Sequence, residues 1–138
     1  MFVNGGNFTA TLTVTDGRRG SASQSVNFTS GTGTGTWTGN LPLAEGPRPV
    51  TAVLTQSSTS GAITGTWNLP ARSVVGNLDP ASPNAIDANG RVVLRFKVTS
   101  GGTFNDFTFT GQLSASGRTI DGSVSGSGFG GQAVTLTK

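Results

Sequence analysis

An all-β fold is predicted for this chain: a small antiparallel up-and-down barrel of about eight strands preceded by a β-hairpin, with a β-sandwich as the alternative architecture. Three observations predict it. Apolar residues recur at every second position over many short segments, which is the period of a strand with one buried face. Turn signals, drawn largely from 22 glycines, separate these segments at near-regular intervals. Charged residues make up only 11% of the 138-residue chain, and Thr and Ser fill most other polar positions, a composition suited to pleated surfaces.

Phe8-Thr-Ala-Thr-Leu-Thr-Val-Thr15 is the clearest strand, with Phe8, Ala10, Leu12 and Val14 on one face and threonines on the other. Asp16 to Gly20 reads as a turn, and Ala22 to Thr29 as the returning strand, with Ala22, Gln24, Val26 and Phe28 in register. Two strands are marginal in water, so this apolar face is expected to be covered, either by the rest of the chain or by another chain through residues 8–29. Ser30 to Gly35 is a Gly/Thr linker, and the expected division is a hairpin over 1–30 and a barrel over 31–138.

Beyond the linker, strands are expected over 34–41, 50–56, 62–69, 73–78, 91–99, 104–114, 119–128 and 133–137. Val92, Leu94, Phe96 and Val98 alternate with Arg91, Arg95 and Lys97, and Phe107, Phe109, Gly111 and Leu113 repeat the pattern. Gly122, Gly126 and Gly128 share the face of Ile120 and Val124, which removes bulk from a curved interior and favours closure over a flat sandwich. The one long connection, 71–90, is expected to run over the surface with at most a single helical turn, begun by Ser82-Pro83. Gly35-Thr-Trp-Thr-Gly-Asn-Leu-Pro42 returns in shortened form as Gly65-Thr-Trp-Asn-Leu-Pro70, two strands meeting one packing problem.

Composition narrows the function. With no His and no Cys, acid–base chemistry rests on Asp16, Glu45, Asp79, Asp87, Asp106 and Asp121. Most of these adjoin turn residues, and turn roles account for them, so no catalytic residue, metal ligand or cofactor is expected. Asp87-x-Asn89-Gly90 is one oxygen ligand short of a calcium loop and lacks its closing Glu, and a hairpin turn is expected there instead. The net charge of +3 is spread along the chain, so no nucleic-acid partner is expected. No segment approaches the about 20 apolar residues of a membrane-spanning helix. Residues 1–6 carry no export signal, and the chain is expected to come from inside a longer parent.

Two resemblances add to this reading. Gly6 to Thr29, with its Phe-Thr-Ala-Thr-Leu-Thr-Val-Thr-Asp-Gly passage, resembles the last two strands of a PKD-type immunoglobulin-like repeat, although the strands that precede them in such a repeat are missing. Gly33 to Lys138, with Gly35-x-Trp37 opening a series of meandering strands, resembles the calycin barrels, the superfamily of lipocalins and avidins. That resemblance implies an eight-stranded barrel in which the indole plugs one end and a basic side chain from the last strand covers it, Lys138 being the candidate. Biotin ligands are not implied, since the chain has no Tyr.

The function expected is therefore a non-catalytic structural or adhesive module of a bacterial secreted or cell-surface protein, extracellular, with neighbouring domains of its parent as partners. Two alternatives are a barrel that binds a glycan or small apolar ligand with Trp37, Trp67, Phe96, Phe107 and Phe109 lining a cavity, and self-assembly through the hairpin. Stacking on either tryptophan would require an open indole face.

Overall fold

The computed structural model of the chain describes residues 6–30, 32–87 and 89–138, and for 6–8 and 27–30 the backbone alone. Strands β1 (Gly6–Thr15) and β2 (Ser21–Ser30) form a separate two-stranded antiparallel ribbon. The remaining strands are β3 (Gly35–Leu43), β4 (Gly46–Gln56), β5 (Ile63–Leu69), β6 (Val74–Leu78), β7 (Ala85–Ile86), β8 (Arg91–Ser100), β9 (Phe107–Leu113), β10 (Thr119–Gly126) and β11 (Phe129–Thr137). Eight of these close into an antiparallel barrel with neighbours β3-β4-β5-β6-β8-β9-β10-β11, β11 returning to β3; β7 is a ninth, extra strand. The up-and-down order follows from short hairpin connections, and closure removes the sheet edges that would otherwise be left unpaired.

Closure is made in an unexpected way at β8. Its second half pairs with β6 (Gly76 opposite Val98, Leu78 opposite Phe96), while its first half pairs with β7 (Ala85 opposite Val93, Ile86 opposite Val92). The 71–90 connection is thus not a mere surface excursion, because β6 and β7 share one seam of the barrel. Asn84, the one buried polar residue among those described, holds the join. Its Nδ2 donates to the Asp79 carbonyl at 2.8 Å, and its Oδ1 accepts from the Arg95 backbone N–H at 2.6 Å. Its own carbonyl accepts from the Ile63 N–H at 2.8 Å. The helical turn lies at Pro70–Arg72, a 3-10 turn with Pro at its first position, rather than at Ser82-Pro83. Ser82 is instead taken up by Asp79, whose carboxylate accepts from its hydroxyl at 2.9 Å.

Trp37, Leu41, Leu69, Val92, Leu94, Phe109 and Ile120 are among the side chains that fill the interior with almost no exposure. The two Gly-x-Trp strands flank one alanine: Ala52 on β4 lies opposite both Trp37 and Trp67, and its small side chain leaves room for an indole on either side. Gly76, opposite Trp67, has the same purpose, because a Cβ there would collide with the Trp67 ring nitrogen and the Lys97 carbonyl. A Cβ on Gly122 would lie 2.8 Å from the Phe109 ring, so this glycine does remove bulk from the interior. Gly126 and Gly128 do not. β10 ends at Gly126, and Ser127 and Gly128 form the turn to β11 with φ of 53° and 86°, so left-handed backbone, not curvature, calls for glycine there.

The ribbon behaves differently. Its register sets Ala10 opposite Val26, Leu12 opposite Gln24 and Val14 opposite Ala22, as the alternation predicts. Hydroxyl pairs Thr11–Ser25 (2.8 Å) and Thr13–Ser23 (2.9 Å) line the opposite face. Asp16 organises the turn by accepting from the N–H groups of Arg18 and Gly20 at 2.7 and 2.9 Å. The barrel does not cover the apolar face: Leu12, Val14 and Val26 are 69%, 60% and 59% exposed. The side chains of Phe8 and Phe28, expected on the same face, lie outside the described residues.

Candidate functional site

The two ends of the barrel differ, and the difference follows from which loops the meander brings together. At the base, where β3 begins and β11 ends, the Trp37 indole N–H donates to the Gly33 carbonyl at 2.8 Å and the ring is fully buried. Lys138 lies across it, with Nζ 4.8 Å from the ring centre, donating to the carbonyls of Thr32 (2.6 Å) and Thr34 (2.9 Å). Gly35 permits this approach, since a Cβ there would sit 3.0 Å from the lysine stem. Burial, and then the nearby Arg118 guanidinium, hold the Lys138 ammonium below its ordinary range. The base is thereby sealed by an indole under a cation.

At the opposite end the β3–β4 turn, the 3-10 turn, the β8–β9 loop and the β10–β11 turn surround a concavity of about 520 Å³. Its apolar surfaces come from Leu43, Val74, Phe104 and Phe129, and its polar ones from Arg72, Thr103, Asn105, Ser127 and Gln132. Loop positions are fixed by polar ties. The Asn105 N–H donates to Ser127 Oγ at 3.0 Å, joining two loops across the mouth, and the Val98 N–H donates to Asp106 Oδ1 at 2.8 Å. Arg72 donates through Nε and Nη2 to both Glu45 carboxylate oxygens, at 2.7 and 2.6 Å, closing another side of the rim. This bidentate pairing holds the Glu45 carboxyl below its usual range.

Beneath the mouth lies a stack of aromatic rings. Phe96 and Phe107 are stacked with centroids 4.7 Å apart, and Trp67 meets them edge-on at 5.7 and 5.1 Å. Phe104 and Phe129, 6.1 Å apart, pack above Phe107 at 6.0 and 5.7 Å. The Trp67 indole N–H donates to the Lys97 carbonyl at 3.2 Å.

Of the five aromatic residues that the sequence suggests as a cavity lining, Trp67, Phe96 and Phe107 meet in this stack, while Phe109 lies between Leu94 and Val124 and Trp37 stands at the sealed base. All five are at most 4% exposed and pack against one another or the surrounding core, and none is among the residues that line the concavity. The residues that do line it were not singled out from sequence. Their proximity is a product of topology: in an up-and-down barrel every second connection falls at one end, and only the closed register makes neighbours of Arg72, Asn105 and Gln132.

The six carboxylates are dispersed, and each accepts a hydrogen bond from a local partner. Asp16 and Asp87 cap turns, Asp87 accepting from the N–H groups of Asn89 and Arg91 at 2.8 and 2.9 Å. Asp79 accepts from the Ala81 N–H and the Ser82 hydroxyl, Asp121 from the Thr135 hydroxyl at 2.6 Å, Asp106 from Val98, and Glu45 from Arg72. Among the described residues no three acidic groups come together in a way that could hold a metal ion, and no helix is long and apolar enough to cross a membrane. In comparisons with known proteins the chain matches no family model, no curated protein and no solved structure.

Proposed function

We propose that the chain is a non-catalytic structural and adhesive module of a bacterial secreted or cell-surface protein, in which residues 31–138 form a rigid barrel and residues 1–30 form a contact element. The observation that carries this reading is the uncovered ribbon. Among the described residues of the barrel the exposed large apolar side chains are Val53 and Val75, whereas the ribbon presents Leu12, Val14 and Val26 together on one face. A two-stranded ribbon is at best marginally stable in water without a facing layer, so a partner on this face would stabilise it. The likeness of residues 6–29 to the end of a PKD-type repeat favours a β layer from a neighbouring domain of the parent as that partner. The affinity of the barrel with the calycins is supported by the Gly35-x-Trp37 strand, the eight-stranded meander and Lys138 lying across the indole. The dispersal of the carboxylates into turns and ion pairs supports the absence of catalysis.

The test is amide exchange combined with sedimentation. The isolated chain should sediment as a monomer whose amides exchange fast across residues 9–26 and slowly in β3–β11, and extension by the parent's adjoining domain should protect the ribbon. Protection of the ribbon in a monomeric isolated chain would overturn the proposal. Self-assembly is the second reading, favoured by the two edges of the ribbon, neither of which pairs with a third strand among the described residues. Its signature is an oligomer that disappears when residues 1–30 are deleted.

A further inference from the structure

We propose that the mouth of the barrel binds a neutral saccharide ring, at a site distinct from the buried aromatic residues and independent of how the ribbon is covered. Size, depth and charge together point to this class. The concavity, about 520 Å³, lies within the range of small-ligand sites and can hold one or two sugar rings. It is shallow, because the stack of Trp67, Phe96 and Phe107 occupies the interior directly below, so a long acyl chain finds no depth to enter.

The floor and rim match the two sides of a pyranose. Half-buried Phe104, with Phe129 beside it, provides an aromatic surface for the C–H face of the ring. Around it stand neutral hydrogen-bonding groups: the Thr103 hydroxyl, the Asn105 amide and the Gln132 amide. Gln132 Oε1 already accepts from the Gly130 N–H at 2.7 Å, which orients its NH₂ group as a donor. The one cation in the lining, Arg72, is neutralised through its bidentate pairing with Glu45. With that charge neutralised, the lining offers little net positive potential to draw in a phosphate or sulfate, and a hydroxylated neutral ring needs none. Sugar hydroxyls are both donors and acceptors, which suits a rim of amides and hydroxyls.

The experiment is a ¹H–¹⁵N titration of the full chain with methyl α-glucoside, galactose, N-acetylglucosamine and maltotriose, with decanoate and inorganic phosphate as contrasting probes. Saturable shifts in the millimolar range are expected for at least one sugar, confined to 101–106, 127–132 and the Gln132 side-chain amide, with none from decanoate or phosphate at these positions. Phe104→Ala should weaken the binding by about ten-fold or more, and Gln132→Ala by about three-fold. Each variant should retain the wild-type dispersion of β3–β11 resonances, which separates loss of the site from loss of the fold. Sugar-induced shifts elsewhere, no shift with any sugar, or displacement of the sugar by decanoate or phosphate would each overturn the proposal.

Discussion

Replacement of Phe107 by alanine distinguishes a filled interior from an open one. The Phe107 side chain is 4% exposed and its ring meets four others: Phe96 stacked at 4.7 Å, and Trp67, Phe129 and Phe104 at 5.1, 5.7 and 6.0 Å. Truncation removes the transfer free energy of a benzyl group and leaves a cavity walled by planar rings on strands that cannot move inward. Such sites fall toward the upper part of the range for Phe→Ala, about 4 kcal/mol, to which the lost ring–ring contacts contribute. For a chain of this length that is a fall in Tm of about 10–15 °C. Phe104, in the same cluster but at the solvent-facing mouth, should cost only about 1–2 kcal/mol when truncated, because water can enter the space it leaves. Urea unfolding followed by tryptophan fluorescence measures both. Were the interior an open calyx, Phe107→Ala would merely enlarge an existing cavity. A loss below about 1 kcal/mol, or one equal to that of Phe104→Ala, would refute the reasoning. The Phe107→Ala protein should also gain Tm in benzene-saturated buffer, which the unaltered protein should not.

Asn84→Ala should lower stability by about 2–3 kcal/mol in the same urea assay, since it leaves the Arg95 N–H and the Asp79 carbonyl without their partner at a buried seam. Asn84→Asp should not rescue it, a carboxylate being unable to donate to that carbonyl. Gly122→Val should prevent folding or cost more than Gly128→Val, because a side chain at 122 would strike Phe109 and the Thr110 carbonyl whereas the space around Gly128 is open; circular dichroism after refolding separates the two. In the barrel, Asp79 is held below its ordinary value of 3.8 first by the Ala81 N–H, and Glu45 below 4.5 first by the Arg72 guanidinium. Folded-state values lower than unfolded ones make these contributions complete above the ordinary values and progressively lost as pH falls through the lowered ones. The urea midpoint should therefore be flat from neutrality to about pH 5 and fall below that, a decline that Glu45→Gln should make shallower.

The barrel was legible in the sequence because burial of period two is a local signal, and β4, β5, β8 and β10 show it within a few residues. Register-dependent features were not. Phe104 continues an apolar pattern and reads as the start of a strand, yet the chain there is a loop, since Asp106 turns back to bind the Val98 N–H and β9 begins only at Phe107. β7 has two residues and no alternation to detect. Asn84, set between Pro83 and Ala85, carries no mark in the sequence to separate it from a surface turn residue, because its role depends on Arg95 lying across the seam. The mouth suffers from the same limitation, its lining being drawn from four separate connections. The Trp37–Lys138 contact is the opposite case, since the resemblance to the calycin barrels implies a basic side chain over the indole and Lys138 is its candidate.

The distribution of strand edges constrains where the proposed association can take place. Closing β11 onto β3 and β6 onto β8 leaves no long edge on the barrel, and β7 adds an extra strand of only two residues. Such a body does not recruit strands from its surroundings. The ribbon is the converse: two ten-residue strands that pair with no third strand among the described residues, an apolar face without a charged side chain, and a hydroxyl-lined face whose Thr–Ser pairs hold the strands together from the other side. Its apolar face is too small to bury itself by folding, and burying Leu12, Val14 and Val26 would gain about 1.5–3 kcal/mol for each. A two-layered β partner can gain this energy with the sheet that faces the ribbon and pair an edge with a strand of its other sheet, which a flat apolar surface cannot do. Charge on that face should therefore disrupt association without touching the barrel. Leu12→Lys should abolish protection of the ribbon by its partner and leave the barrel's Tm unchanged within about 1 °C, whereas a comparable loss of barrel stability would mean that the two units fold as one.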